Sequence, residues 1–130
     1  MEAVYNEEHY KDTSDKWWEL EVDDSNVKEV TISRDEDLFE IDFNNDGIDI
    51  VIKCYKESAE YLANITEYCI GTVQKWEVFT VYCDDPGLLV VRSSGDGVAL
   101  EFDGTHLITV TMTIDAARYF VKEIEKYLAM

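Results

Sequence analysis

The segment 38–54 constrains the fold most. Phe39, Ile41 and Phe43 alternate with Glu40, Asp42 and Asn44, and Ile48, Ile50, Ile52 and Cys54 alternate with Asp49, Val51 and Lys53. A period of two puts every apolar residue of such a run on one face of a strand. Asn45-Asp46-Gly47 separates the runs, and such residues tolerate the positive φ that a tight hairpin turn needs. Two registers keep the apolar residues together. Placing Asp46-Gly47 in the turn sets Phe43 opposite Ile50, Ile41 opposite Ile52 and Glu40 opposite Lys53. Placing Asn45-Asp46 there sets Asp42 against Asp49. Cross-strand charge pairs contribute roughly 0.2–1 kcal/mol with the sign of the charges, so the first register is expected. The outer face of this hairpin then carries Glu40, Asp42 and Asp49.

The rest of the chain reads as strands and two helices. Trp17–Val22 and Val27–Ser33 are expected strands, split by the turn Asp23-Asp24-Ser25-Asn26. Ala59, Leu62, Ile65 and Cys69 recur at helical spacing, so Glu57–Ile70 reads as a helix. Thr72–Cys83 reads as a long strand. Its apolar residues on both faces from Val78 to Val81 suggest a central place in the sheet. Leu88–Arg92 returns from the turn Asp84-Asp85-Pro86-Gly87. Val98–Thr113 reads as a second hairpin, and parity asks for a three-residue loop ending in Gly104. Thr113 is a candidate N-cap for a final helix with the stripe Ala117, Phe120, Val121, Ile124 and Leu128. The expectation is one α+β domain over residues 1–130, with residues 1–16 as a loose arm or short capping segment. It has a mainly antiparallel sheet of about seven or eight strands, with a middle helix and a C-terminal helix packed on it.

Charge limits the partners. The chain has 29 Asp+Glu against 11 Lys+Arg, a formal charge of −18. A hydrophobic fraction of 46% separates it from disordered acidic tails. Seventeen acids and four bases fall in residues 1–50, so most of the charge sits there. This excludes direct binding of nucleic acid or an anionic membrane as the default and favours a basic protein. Cys54, Cys69 and Cys83 form no C-x-x-C pair, which reads as reduced thiols in the cytoplasm. The N-terminal residues show no signal-peptide pattern.

Catalytic signatures are missing from the sequence. His9 and His106 have no second His or Cys at metal-ligand spacing. Asp42-Phe43-Asn44-Asn45-Asp46-Gly47 opens like a calcium loop, but its twelfth position is Lys53 and its flanks alternate like strands. No enzyme activity, cofactor or metal is therefore expected. Trp18, beside Asp15, Glu19, Glu21, Asp23 and Asp24, is a candidate binding anchor.

Size, acidity, the helix and strand order, and the run of Val98-Ala99-Leu100-Glu101-Phe102, Leu107–Thr111 and a helix opening Asp115-Ala116-Ala117 resemble the immunity proteins of bacterial polymorphic toxins, including contact-dependent growth inhibition systems. The resemblance implies a cytoplasmic protein that neutralises a cognate toxin domain, often a basic nuclease, by covering its active site. It assigns no residue. The charge pattern names Glu40, Asp42, Asp46 and Asp49 as first candidates for the contact, followed by Asp35, Glu36, Asp37 and Trp18. A monomer is expected over a homodimer. The alternatives are an acidic secretion chaperone and a phage-type mimic of nucleic acid.

Overall fold

A computed structural model describes residues 2–4, 17–45, 48–84, 87–103 and 107–130. Among the described residues, five strands precede the first α-helix: β1 (Glu2–Val4), β2 (Trp17–Val22), β3 (Thr31–Asp35), β4 (Leu38–Asn45) and β5 (Ile48–Tyr55). Helix α1 (Lys56–Gly71) follows, then β6 (Val78–Tyr82), β7 (Leu88–Ser93), β8 (Gly97–Asp103), β9 (Leu107–Thr113) and helix α2 (Ile114–Leu128). The fold is α+β and mainly antiparallel, with a middle and a C-terminal helix.

The strands divide between two sheets. The first has the order β1-β5-β4-β3 and the second β2-β9-β8-β7-β6. Each helix touches both sheets, and the helices pack on each other. One core cluster unites Phe39, Ile41, Phe43, Ile50 and Ile52 of the first sheet with Leu89, Val91, Leu100, Phe102, Ile108 and Val110 of the second. Phe120 of α2 reaches Phe43 with ring centroids 5.7 Å apart. Splitting the strands lets both helices bury apolar faces against both sheets. A single sheet would leave the far sides of the helices in water.

The β4–β5 hairpin has the expected register: Phe43 pairs with Ile50, Ile41 with Ile52 and Glu40 with Lys53. Residues 46 and 47, which include Asp46, lie outside the described residues. In the second hairpin Asp103 pairs with Leu107, so the loop has the expected three residues. Phe102 and Asp103 are paired, however, so the loop is not the one ending at Gly104. Thr113 caps α2, its Oγ1 accepting from the Ala116 N–H at 3.2 Å.

Three other expectations change. Val27–Glu29 forms a 3-10 turn, so the strand begins only at Thr31. Thr72–Cys83 is not one long strand. A 3-10 turn at Val73–Lys75 and a left-handed Trp76 (φ 55°) break it, leaving the five residues of β6. Nor is β6 central; it is an edge strand. Its apolar residues on both faces reflect exposure on one side, where Val78 and Tyr82 face solvent. At the other edge β2 pairs with β9 in parallel, Trp17 with Leu107 through Val22 with Met112. At the N-terminal end Glu2–Val4 pair with Asp49–Val51 of β5.

Candidate functional site

Three of the four candidate acids of the hairpin share one surface. Glu40, Asp42 and Asp49 lie on the outer face of the first sheet, opposite the buried row Phe39, Ile41, Phe43, Ile50, Ile52 and Cys54. Glu40 is not free of its own chain, since Lys53 stands 3.9 Å across the strand pair. Asp49 is half-buried, and its Oδ1 is enclosed without a hydrogen bond among the described residues.

Asp35, Glu36 and Asp37 form the turn between β3 and β4, with Glu36 in the left-handed region (φ 56°). Arg34 explains this conformation. Its Nε donates to the Glu36 carbonyl at 2.6 Å, and its Nη1 donates to the carbonyls of Tyr127 at 2.7 Å and Leu128 at 3.2 Å. The guanidinium carbon lies 5.1 Å from the centre of the Phe39 ring. One cation therefore satisfies carbonyls at the negative end of α2 and fixes the acidic turn. It also stands 3.9 Å from Asp37. This cluster has a structural role, and the turn arrives with its charge partly offset.

Trp18 is not joined to these acids. Its backbone lies in β2 of the second sheet, paired with Ile108, and its side chain falls outside the described residues, as do His9 and His106.

A different acidic surface is less compensated. Glu19, Glu21 and Asp23, at β2 and its end, face Ser94 and Asp96 across Thr111, Met112 and Thr113. They line an open groove of 370 Å³ whose walls, among the described residues, carry four carboxylates and no Lys or Arg. Asp23, Thr113 and their neighbours continue it into a second depression, lined also by Asp24, Ser25 and Asp115 at the start of α2. The walls are fixed. The Asp23 carboxylate accepts from the Ser25 hydroxyl and from the Ser25 N–H at 2.8 Å. These bonds, the hydroxyl first, hold its pKa below the usual 3.8. The Asn26 side chain accepts from the Asp23 N–H at 2.8 Å and donates to the Glu21 carbonyl at 3.0 Å.

Sequence reasoning placed Glu19, Glu21, Asp23 and Asp24 near a binding anchor but missed Asp96 and Asp115. Asp96 and Asp115 lie about 75 and about 95 residues of chain from Glu21, and the parallel β2–β9 pair brings the segments together. No cluster of three His, Cys, Asp or Glu side chains among the described residues is placed to hold a metal ion. The arrangement attracts cations by field and shape, and a rigid set of carboxylates suits guanidinium and ammonium groups on a partner.

The three thiols lie away from this surface. Cys54, Cys69 and Cys83 are buried and unbridged. A hydrogen bond with Cys83, reinforced by burial, pushes the Cys54 thiol up, and burial does the same to Cys69. No helix among the described residues is long and apolar enough to cross a membrane. No family model, curated protein or solved structure matches this chain.

Proposed function

We propose that this chain is a stoichiometric inhibitor of the immunity type, acting in the cytoplasm on a basic, nuclease-type toxin domain. The observation that supports this most is the groove of Glu19, Glu21, Asp23 and Asp96, concave and without a compensating cation in its walls among the described residues. A surface of this kind takes up the Lys and Arg side chains with which a nuclease grips phosphate, and covering them removes the substrate site. The outer face bearing Glu40, Asp42 and Asp49 adds to the attractive field around the molecule. Self-repulsion from a net charge of −18 is relieved when such a partner binds.

Co-expression with the product of the adjacent reading frame tests this reading. Protection from that product's toxicity and a one-to-one complex are expected. Glu21→Lys with Asp96→Lys should slow association by ~10-fold or more at low salt, because steering acts through the summed field. A neighbour that is harmless and does not bind overturns the reading. A complex whose association rate ignores both substitutions moves the contact off the groove.

A further inference from the structure

The edges of the two sheets are not alike. Three of the four edge strands carry charge within them: Glu2 in β1, Glu19 and Glu21 in β2, and Arg34 and Asp35 in β3. Charge on an edge is a common protection against pairing with another chain. The fourth, β6, reads Val78-Phe79-Thr80-Val81-Tyr82, with no charge and no proline. Its outward side chains are bare: Val78 is 59% exposed and Tyr82 72%, beside Leu88 of β7 at 59%. Among the described residues no strand pairs with its outer edge.

The free hydrogen-bonding groups can be assigned. The Ser93 N–H donates to the Glu77 carbonyl at 3.0 Å, and the Cys83 N–H donates to the Gly87 carbonyl. In an antiparallel ladder, bonded residues alternate. With Phe79 opposite Val91 and Val81 opposite Leu89, residues 77, 79, 81 and 83 turn their backbone groups to β7. Val78, Thr80 and Tyr82 therefore turn theirs to the open edge.

We propose that this edge is a homodimer interface, in which a second copy adds its own β6 antiparallel about Thr80. The two-fold register is self-complementary. It pairs Thr80 with Thr80 of the other copy and Val78 with Tyr82 at both ends, all three being positions with outward backbone groups. On the outer face it joins the exposed Val78 and Tyr82 of the copies into one apolar row. Lys75 and Glu77 precede the strand and Asp84 follows it, so the ends carry both signs of charge, and the register rests on the backbone groups and the apolar row. An isologous contact of this kind closes at two subunits. The charge of −18 favours a monomer, but at ordinary salt that repulsion is screened beyond ~8–10 Å, and β6 carries no charge within it. The interface lies at the opposite edge of the sheet from the β2 groove, so its failure does not bear on the inhibitor reading.

Sedimentation of the full chain over a wide concentration range at physiological salt tests the proposal. The mass should rise from 15.0 kDa toward twice that value. Thr80→Pro removes an outward N–H without a partner among the described residues, and proline is tolerated at such edge positions. Val78→Lys restores the charge that the other edges have. Each should weaken the dimer at least ~10-fold, equivalent to about 1.4 kcal/mol. A chain that stays at 15.0 kDa throughout overturns the proposal and leaves the edge to a strand of another protein. A dimer indifferent to both substitutions overturns it as well.

Discussion

Arg34→Ala removes a residue that ties the first sheet to the last turn of α2. In the folded protein its side chain is 14% exposed and bonds the carbonyls of Glu36, Tyr127, Leu128 and Met130. Hydrogen bonds to charged groups contribute roughly 1.5–3 kcal/mol each when their partners cannot turn to water. Here the Tyr127 and Leu128 carbonyls are part-buried, whereas the bonds to Glu36 and Met130 are exposed, so about two bonds count. The Phe39 ring adds about 0.5–1 kcal/mol and the helix terminus about 0.3–1 kcal/mol. The Asp37 pair adds little, because Asp37 is 77% exposed. Ordering a long side chain costs about 2 kcal/mol. The expected net loss is about 2–6 kcal/mol, a shift of roughly 30-fold or more toward the unfolded state. Urea unfolding should show a midpoint lowered by about 1 M or more with an unchanged slope. Arg34→Lys keeps the charge but not the fork, and should recover less than half of the loss. A loss under ~0.5 kcal/mol for Ala would mean that water replaces the guanidinium at these carbonyls. Full recovery by Lys would reduce the role to charge alone.

Gly97→Ala should destabilise by about 3 kcal/mol or more in the same assay, because its Cβ would run into the backbone carbonyl oxygen of Met112 on β9. Alanine in place of Ser25 should raise the Asp23 pKa toward 3.8, read from its carboxyl resonance in an NMR titration. The sign follows from the lowered folded value: the bond stabilises above the unfolded pKa, and its contribution is lost as pH falls through the folded one. The three buried thiols should resist a disulfide reagent in the native protein and all react after denaturation; rapid native reaction of Cys54 would contradict its raised pKa.

What could be read from the sequence was local. The β4–β5 register was legible because a period of two, a tight turn and the Glu40–Lys53 contrast all act within 17 residues. The cap at Thr113 was legible for the same reason. The place of β6 was not, because Val78, Phe79 and Val81 look alike whether a sheet or water covers their second face. The role of Arg34 depends on carbonyls more than ninety residues away. The groove depends on β2 lying beside β9, and alternation in Trp17–Val22 is silent about both the partner strand and its direction. Glu40, Asp42 and Asp49 were found on one face, as expected, but Lys53 tempers Glu40, and Arg34 tempers Asp37 of the neighbouring turn. The uncompensated carboxylates lie on the other sheet.

The β2–β9 pairing also sets an order on how the molecule can form. The strands β3, β4 and β5 are neighbours in the chain and can zip as soon as they exist. Closing Trp17 onto Leu107 spans a loop of about ninety residues, an entropic cost that must be met before its contacts reward it. During synthesis β2 must wait, unpaired, until the eighth and ninth strands have left the ribosome. The acidic groove is thus among the last features to take shape, and a nascent chain displays its charge well before it can grip anything with it.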